Sequence, residues 1–386
     1  MATIAITAGH VVGVTGEPFD GTVVITDGRI AALGPKAKVP RGAEVIDASG
    51  QWVLPGFLDA HTHLGVDEAA EGWAGQDTNE KTDPVTAQVR ALDAINPADL
   101  GFADALAGGV TTVGVNPGSA NVVGGLCVAV HTHGRTVDEM VLRSPAGVKS
   151  ALGENPKRVY GEQKTMPSTR LGTAAVLRKA FVDAENYRRK RAAGGADFDG
   201  RDLKLESLAA VLEGELPWRQ HCHRADDIAT ALRVADEFGY RLVIDHGTEA
   251  HLIADLIAAR GIPVLIGPLF TSRSKVELRN RSLANPGRLA AAGVEISIIT
   301  DHPVVPINFL VHQATLAVKE GLDREVALRA LTINPATVLG VHDQVGSLEP
   351  GKLGDVVLWS GDPLDVMQRA LRVFIAGDQV YRYSPE

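Results

Sequence analysis

Cysteine is almost missing: among 386 residues there are two, Cys127 and Cys222. They are far apart, in apolar, strand-like surroundings, so no disulfide framework is implied and both read as buried free thiols. Long hydrophobic runs are missing too. No window approaches the roughly 18 uninterrupted apolar residues of a membrane span. The opening Met1-Ala2-Thr3-Ile4-Ala5-Ile6-Thr7 lacks the basic and apolar regions of a secretory signal, so a cytoplasmic location is expected. Excess positive charge is absent as well. A formal net charge of −9 argues against a nucleic-acid or anionic-membrane partner and leaves a small-molecule substrate, with homo-oligomerisation open. There is no internal repeat and no low-complexity tract. What remains is 45% hydrophobic with 41 glycines and 20 prolines, the composition of a soluble, enzyme-sized protein with room for a large core.

Residues 1–55 read as short strands separated by turns, with Asp27-Gly28 as a hairpin signal. The same texture returns in 344–386, at Val356–Trp359 and Val373–Tyr381. Neither piece makes a good core alone, so the two are expected to pair into one small β-sandwich domain. Between them, residues 56–343 alternate strands and helices, the pattern of a parallel sheet with crossover helices. Eight strand candidates, Phe57–His63, Val110–Val115, Cys127–His131, Gly147–Leu152, Trp218–His221, Leu242–His246, Pro263–Ile266 and Val294–Thr300, give an α/β fold with a (β/α)8 TIM barrel. Residues 169–213 depart from this rhythm, and the basic run Arg188-Arg189-Lys190-Arg191 reads as a solvated helix face.

The chemistry gathers at Gly56-Phe57-Leu58-Asp59-Ala60-His61-Thr62-His63. Side chains on a strand alternate, so His61 and His63 share a face and can grip one divalent cation. Barrel active sites lie at the C-terminal strand ends. Other strand ends supply His221, His246 and Asp301. Four histidines and a carboxylate suit Zn²⁺ or a similar ion, one or two of them. A bound metal lowers the pKa of water from about 15.7 to about 7, and Asp301 is placed to move its proton to a leaving nitrogen. Asp245 reads as a strand-end hydrogen-bonder, His223 as outward-facing or substrate-touching, and His302, next to Asp301, as substrate-binding. The second His-Thr-His, His131 and His133, reads as structural or substrate-contacting. Asn116-Pro117-Gly118-Ser119-Ala120-Asn121 is a loop on the active face, with no P-loop lysine after it.

The stretch Leu54-Pro55-Gly56-Phe57-Leu58-Asp59-Ala60-His61-Thr62-His63 resembles the signature of the amidohydrolase superfamily. So do His246, Asp301, Leu331-Thr332-Ile333-Asn334-Pro335-Ala336 and Gly346-Ser347-Leu348-Glu349-Pro350-Gly351-Lys352-Leu353-Gly354-Asp355. Within it, His221-Cys222-His223-Arg224-Ala225-Asp226-Asp227-Ile228 with Ile244-Asp245-His246-Gly247 is similar to the imidazolonepropionase-like branch, which also holds prolidase-like dipeptidases. The resemblance implies that His61, His63, His221 and Asp301 bind metal. It makes His246 a ligand of a second metal or a substrate-side group. Binuclear members carry a bridging carboxylated lysine or glutamate; here both Lys149 and Glu154 are candidates, and nuclearity stays open.

The expected function is therefore hydrolysis of a C–N bond in an amide, cyclic amide or dipeptide, by metal-activated hydroxide with Asp301 as general acid/base. The alternatives are an aminohydrolase of a small heterocycle, or a catalytically silent metal-binding protein on the same fold. Arg273 and Lys275, after the seventh strand, either read a carboxylate on the substrate or pair with surface acids such as Glu277.

Overall fold

Five strands open the chain in the computed structural model, which describes residues 3–194, 200–272 and 274–385. They are β1 (Thr3–Val11), β2 (Phe19–Thr26), β3 (Arg29–Gly34), β4 (Glu44–Asp47) and β5 (Trp52–Pro55). Eight follow: β6 (Phe57–Thr62), β7 (Val110–Val115), β8 (Val123–His131), β9 (Val141–Ala151), β10 (Trp218–Cys222), β11 (Leu242–His246), β12 (Val264–Ile266) and β13 (Ile296–Ile298). The last three are β14 (Val356–Trp359), β15 (Ala370–Ile375) and β16 (Asp378–Arg382).

Strands from both ends of the chain share one sheet, in the order β16-β15-β14-β5-β1-β2-β3, with β4 paired to β1. The join is antiparallel, with Leu54 opposite Val357 and Val53 opposite Leu358. Ile6, Val23, Ile25, Val53, Val356 and Phe374 form one apolar core beneath it. Strand pairing makes this a single continuous sheet and does not divide it into the two bonded layers expected of a sandwich. The β2–β3 turn has Asp27 at φ 49° and Gly28 at φ 77°, the two positive values that a tight hairpin demands. At the sheet-to-barrel junction, a Cβ on Gly56 would lie 2.0 Å from Thr111 Oγ1, so only glycine lets β6 start so close to β7.

The second sheet runs β13-β12-β11-β10-β9-β8-β7-β6, a nearly closed barrel. Every expected strand is present, but the uniform parallel direction is not. β8 runs antiparallel to both β7 and β9. The reason is connection length: residues 116–122 and 132–140 are too short for a parallel crossover, which needs about a dozen residues or more. Between β13 and β6 no ladder is formed among the described residues. Instead Asp59 Oδ2 accepts from Thr300 N at 2.9 Å and Thr300 Oγ1 at 2.5 Å, and His63 N donates to His302 O at 2.8 Å. Burial pushes the Asp59 carboxyl up to about 6, against the hydrogen bonds it accepts.

Residues 169–213 supply two helices, Arg170–Ala193 and Leu203–Leu212. Phe181 on the first packs against Trp218 at 4.8 Å and Tyr240 at 4.7 Å, fixing the helix to the barrel wall. Its basic run faces outward, where Arg188 and Arg191 share Glu213. Among the described residues no helix is long and apolar enough to cross a membrane.

Candidate metal centre

The C-terminal ends of the parallel strands bring His61, His63, His221, His223, His246, Asp301 and Lys149 to one end of the barrel. Ligating atoms of His61, His246 and Asp301 lie within 4.8 Å of one another, and so do those of His221, His223 and His246. His246 is shared. His246 and Asp301 hold left-handed backbone angles, φ 75° and 54°, which side-chain-bearing residues adopt at a cost of about 1–3 kcal/mol each and which recur at functional sites.

The second ring nitrogens decide the tautomers. His63 Nδ1 lies 2.8 Å from Asn116 O and His246 Nδ1 lies 2.9 Å from Gly267 O. A carbonyl only accepts, so both Nδ1 atoms carry the proton and both Nε2 atoms present a lone pair. His61 Nδ1 faces Asp245 Oδ2 at 2.8 Å, a carboxylate–histidine arrangement with the same result. The Nε2 atoms of His61 and His246 are buried and unpartnered. His61 Nε2 and His63 Nε2 each stand 3.4 Å from Asp301 Oδ1. That is too long for a charge-assisted hydrogen bond. It matches the edge of a tetrahedron with bonds of 2.0–2.1 Å, about 3.3–3.4 Å. The donor set fits a divalent metal.

Burial, then the neighbouring His246, holds His221 and His223 well below the usual histidine range, and burial lowers His246 to about 3. These rings are neutral, as ligands must be. Asp245 is fully buried; burial would raise it, but the Arg219 guanidinium and His61 outweigh that and hold it below the usual carboxylate range. Arg219 Nε donates to Asp245 Oδ1 at 3.0 Å and its Nη2 to Ala60 O at 2.9 Å. Lys149 is fully buried on β9, its Nζ donating to Ser119 Oγ at 2.7 Å; Ser119 Oγ in turn lies 3.0 Å from His221 Nδ1. Burial lowers the Lys149 amine.

Several sequence readings take different places. His223, read as outward-facing or substrate-touching, lies among the candidate ligands, its Nδ1 2.8 Å from Thr248 Oγ1. Glu154 does not reach the cluster: it opens the helix Glu154–Glu162, and its carboxylate lies 3.9 Å from Arg158. His302 joins neither ligand group; its Nδ1 accepts from Ile307 N, and its Nε2 stands against Gly101. His131 sits at the opposite end of the barrel because β8 runs backwards, and its Nε2 meets Asp355 Oδ2 at 2.9 Å. Lys275 is near the cluster, donating to Asn155 Oδ1 at 2.7 Å. Arg273 lies outside the described residues. Sequence reasoning placed Asn116 and Ser119 in a loop on the active face without giving either a role, and passed over Asn155 and Arg219. Only Arg219 carried a signal, sharing a strand face with His221, where a buried guanidinium needs a carboxylate partner.

Residues 52–380 match the amidohydrolase family. The amidohydrolase tasK of Hapsidospora irregularis is 29% identical over 94% of this chain, which spans 42% of that protein's length. An imidazolonepropionase of Aromatoleum aromaticum is 30% identical, with 93% of this chain and 92% of that protein covered. Among solved structures, an amidohydrolase from Thermotoga maritima is similar with a TM-score of 0.96 at 45% identity, over 98% of this chain and 100% of that one. A prolidase complexed with N-methylphosphonate-L-proline has a TM-score of 0.66 at 19% identity, over 99% and 100% of the two chains, a likeness of fold. The match reaches from β5 through the whole barrel into β16, and with the histidine-and-aspartate cluster of its strand ends the chain belongs to the amidohydrolase family, hydrolases of carbon–nitrogen bonds.

Proposed function

We propose that this protein is a zinc-dependent hydrolase of an amide or cyclic-amide C–N bond. The observation that carries the reading is the set of bare Nε2 atoms on His61 and His63, each 3.4 Å from one oxygen of Asp301. A divalent metal bound there supplies Lewis acidity and a water of lowered pKa. The protein's own part is positional. Asn116 O, Gly267 O and Asp245 fix the orientation of His63, His246 and His61, so little reorganisation is needed on binding. Asp301 takes the proton of the attacking water on its carboxylate and returns it to the departing nitrogen. The buried strands β6, β10 and β11 wall the cluster on the barrel side.

Lys149 rather than Glu154 is the group that joins the two ligand sets. Its amine is buried beside the cluster, and burial favours its neutral form. Were that neutral amine to take up carbon dioxide with loss of a proton, the resulting carbamate would offer anionic oxygen donors to a divalent metal. Glu154 faces Arg158 instead.

Elemental analysis and a substrate panel test this together. We expect one to two equivalents of zinc or a similar ion, and chelator-sensitive release of an amine from N-acyl amino acids, dipeptides or lactams. Ammonia released from aminoheterocycles would assign deamination instead. Metal-free protein with chelator-insensitive turnover would refute the reading.

A further inference from the structure

A lysine beside a cationic metal centre is an electrostatic liability unless something anionic comes to meet it. Lys275 is half-buried in the segment after β12, and its Nζ donates to a neutral partner, Asn155 Oδ1, at 2.7 Å. It forms no ion pair among the described residues. Glu277, the acid two positions on that the sequence offers as its partner, is committed elsewhere. Glu277 is buried, and its Oε1 accepts from Arg170 Nη2 at 2.9 Å and from Glu154 N at 2.7 Å.

These bonds do more than remove a competitor. Glu277 anchors the segment that carries Lys275, and through Glu154 N it anchors the residue before Asn155. Both members of the pair are thus held by one buried carboxylate, and Arg170 also bonds Asp227 on the helix Ala225–Phe238. Asn155 Nδ2 reaches the metal cluster itself, 3.4 Å from His221 Nε2. An ammonium is therefore fixed one amide side chain away from a candidate ligand; Asp301, Glu277 and Glu154 act on its charge from a distance, but none forms an ion pair with it among the described residues.

We infer that Lys275, held by Asn155, is the specificity-determining group that receives a carboxylate on the substrate. The inference rests on the hydrolytic reading of the same site and narrows it to amides that bear an acid, such as N-acyl amino acids or dipeptides. Lysine suits this role as a compact point charge on a stem already partly desolvated. An ionic hydrogen bond of this kind raises affinity for the acid by roughly ten- to a hundredfold over an uncharged analogue.

The test is calorimetric binding of N-acetyl amino acids and their C-terminal amides to the metal-loaded protein, with hydrolysis of the same compounds measured separately. The wild type should bind at least one acid about tenfold or more tightly than its amide. In Lys275→Gln that ratio should fall to near one. In Asn155→Asp it should also collapse, because the new carboxylate neutralises the lysine without removing it. An acid preference that survives Lys275→Gln would assign the carboxylate to the metal and overturn the inference, and so would a wild type without acid preference anywhere in the series. Selective binding without hydrolysis would remove the hydrolytic reading and leave the lysine's role standing. Equal hydrolysis of acids and amides would do the reverse.

Discussion

Asp245→Asn isolates the buried support of the metal centre. Asp245 Oδ1 accepts from Arg219 Nε at 3.0 Å, and Oδ2 accepts from His61 Nδ1 at 2.8 Å and Arg219 Nη2 at 3.3 Å. All three residues are fully buried. Asparagine keeps the shape and loses both the charge and one acceptor. If its oxygen faces His61, its amide group meets Arg219 donor to donor. If it turns over, His61 loses its acceptor and is driven to carry its proton on Nε2, the atom needed for metal. Arg219 Nη1 is already without a partner, so the guanidinium has no reserve. Breaking a buried pair from one side costs about 3–5 kcal/mol, and losing the group that orients a metal-bound histidine weakens binding by about 10–100-fold. Equilibrium unfolding of the metal-stripped protein reads the first effect, and competitive zinc titration the second. Adding Arg219→Met should restore most of the stability, since no stranded charge remains, and part of the affinity, since the asparagine oxygen is then free to accept from His61 Nδ1. Stability within about 1 kcal/mol of wild type together with unchanged zinc affinity would refute the reasoning.

Asp301→Asn should lower kcat by about 10²–10⁴ while elemental analysis still finds metal on the histidines; full turnover with metal retained would remove Asp301 from proton transfer. Phe181→Ala should destabilise by about 3–5 kcal/mol in denaturant unfolding with metal content unchanged, because its ring packs against both Trp218 and Tyr240 on the outer wall. Asp355→Asn should cost about 1–3 kcal/mol through His131 and leave zinc stoichiometry untouched; loss of zinc would show that the second His-Thr-His serves the metal after all.

The eight barrel strands were legible because each is a short apolar run bounded by turn residues, and His61, His221, His246 and Asp301 because each closes such a run. The direction of β8 was not. Val123–His131 has the same apolar texture as its parallel neighbours, and only the shortness of 116–122 and 132–140 betrays its reversal. That is why His131 and His133 mimic His61 and His63 in sequence yet lie at the other end of the sheet. Asp245 was read as a hydrogen-bonder without its partner, since the pairing of β11 with β10 that sets it beside Arg219, and the barrel curvature that brings His61 across to it, are matters of tertiary structure. Lys149 and Glu154 were both candidates in the sequence, which does not show that their side chains take different directions. Glu154 follows Gly153, whose φ of 86° swings the chain out of the strand and into a helix.

The terminal sheet sets a timetable for synthesis. β5 ends at Pro55, and its partner β14 begins only at Val356. At about 5–20 residues per second, β5 waits roughly 15–60 s for β14 to emerge from the ribosome. Throughout that interval its Val53 and Leu54 edge is an open template for other chains, although β1 already covers its other side. The nascent chain is open to aggregation along this edge during the wait, and the emergence of β14 ends it.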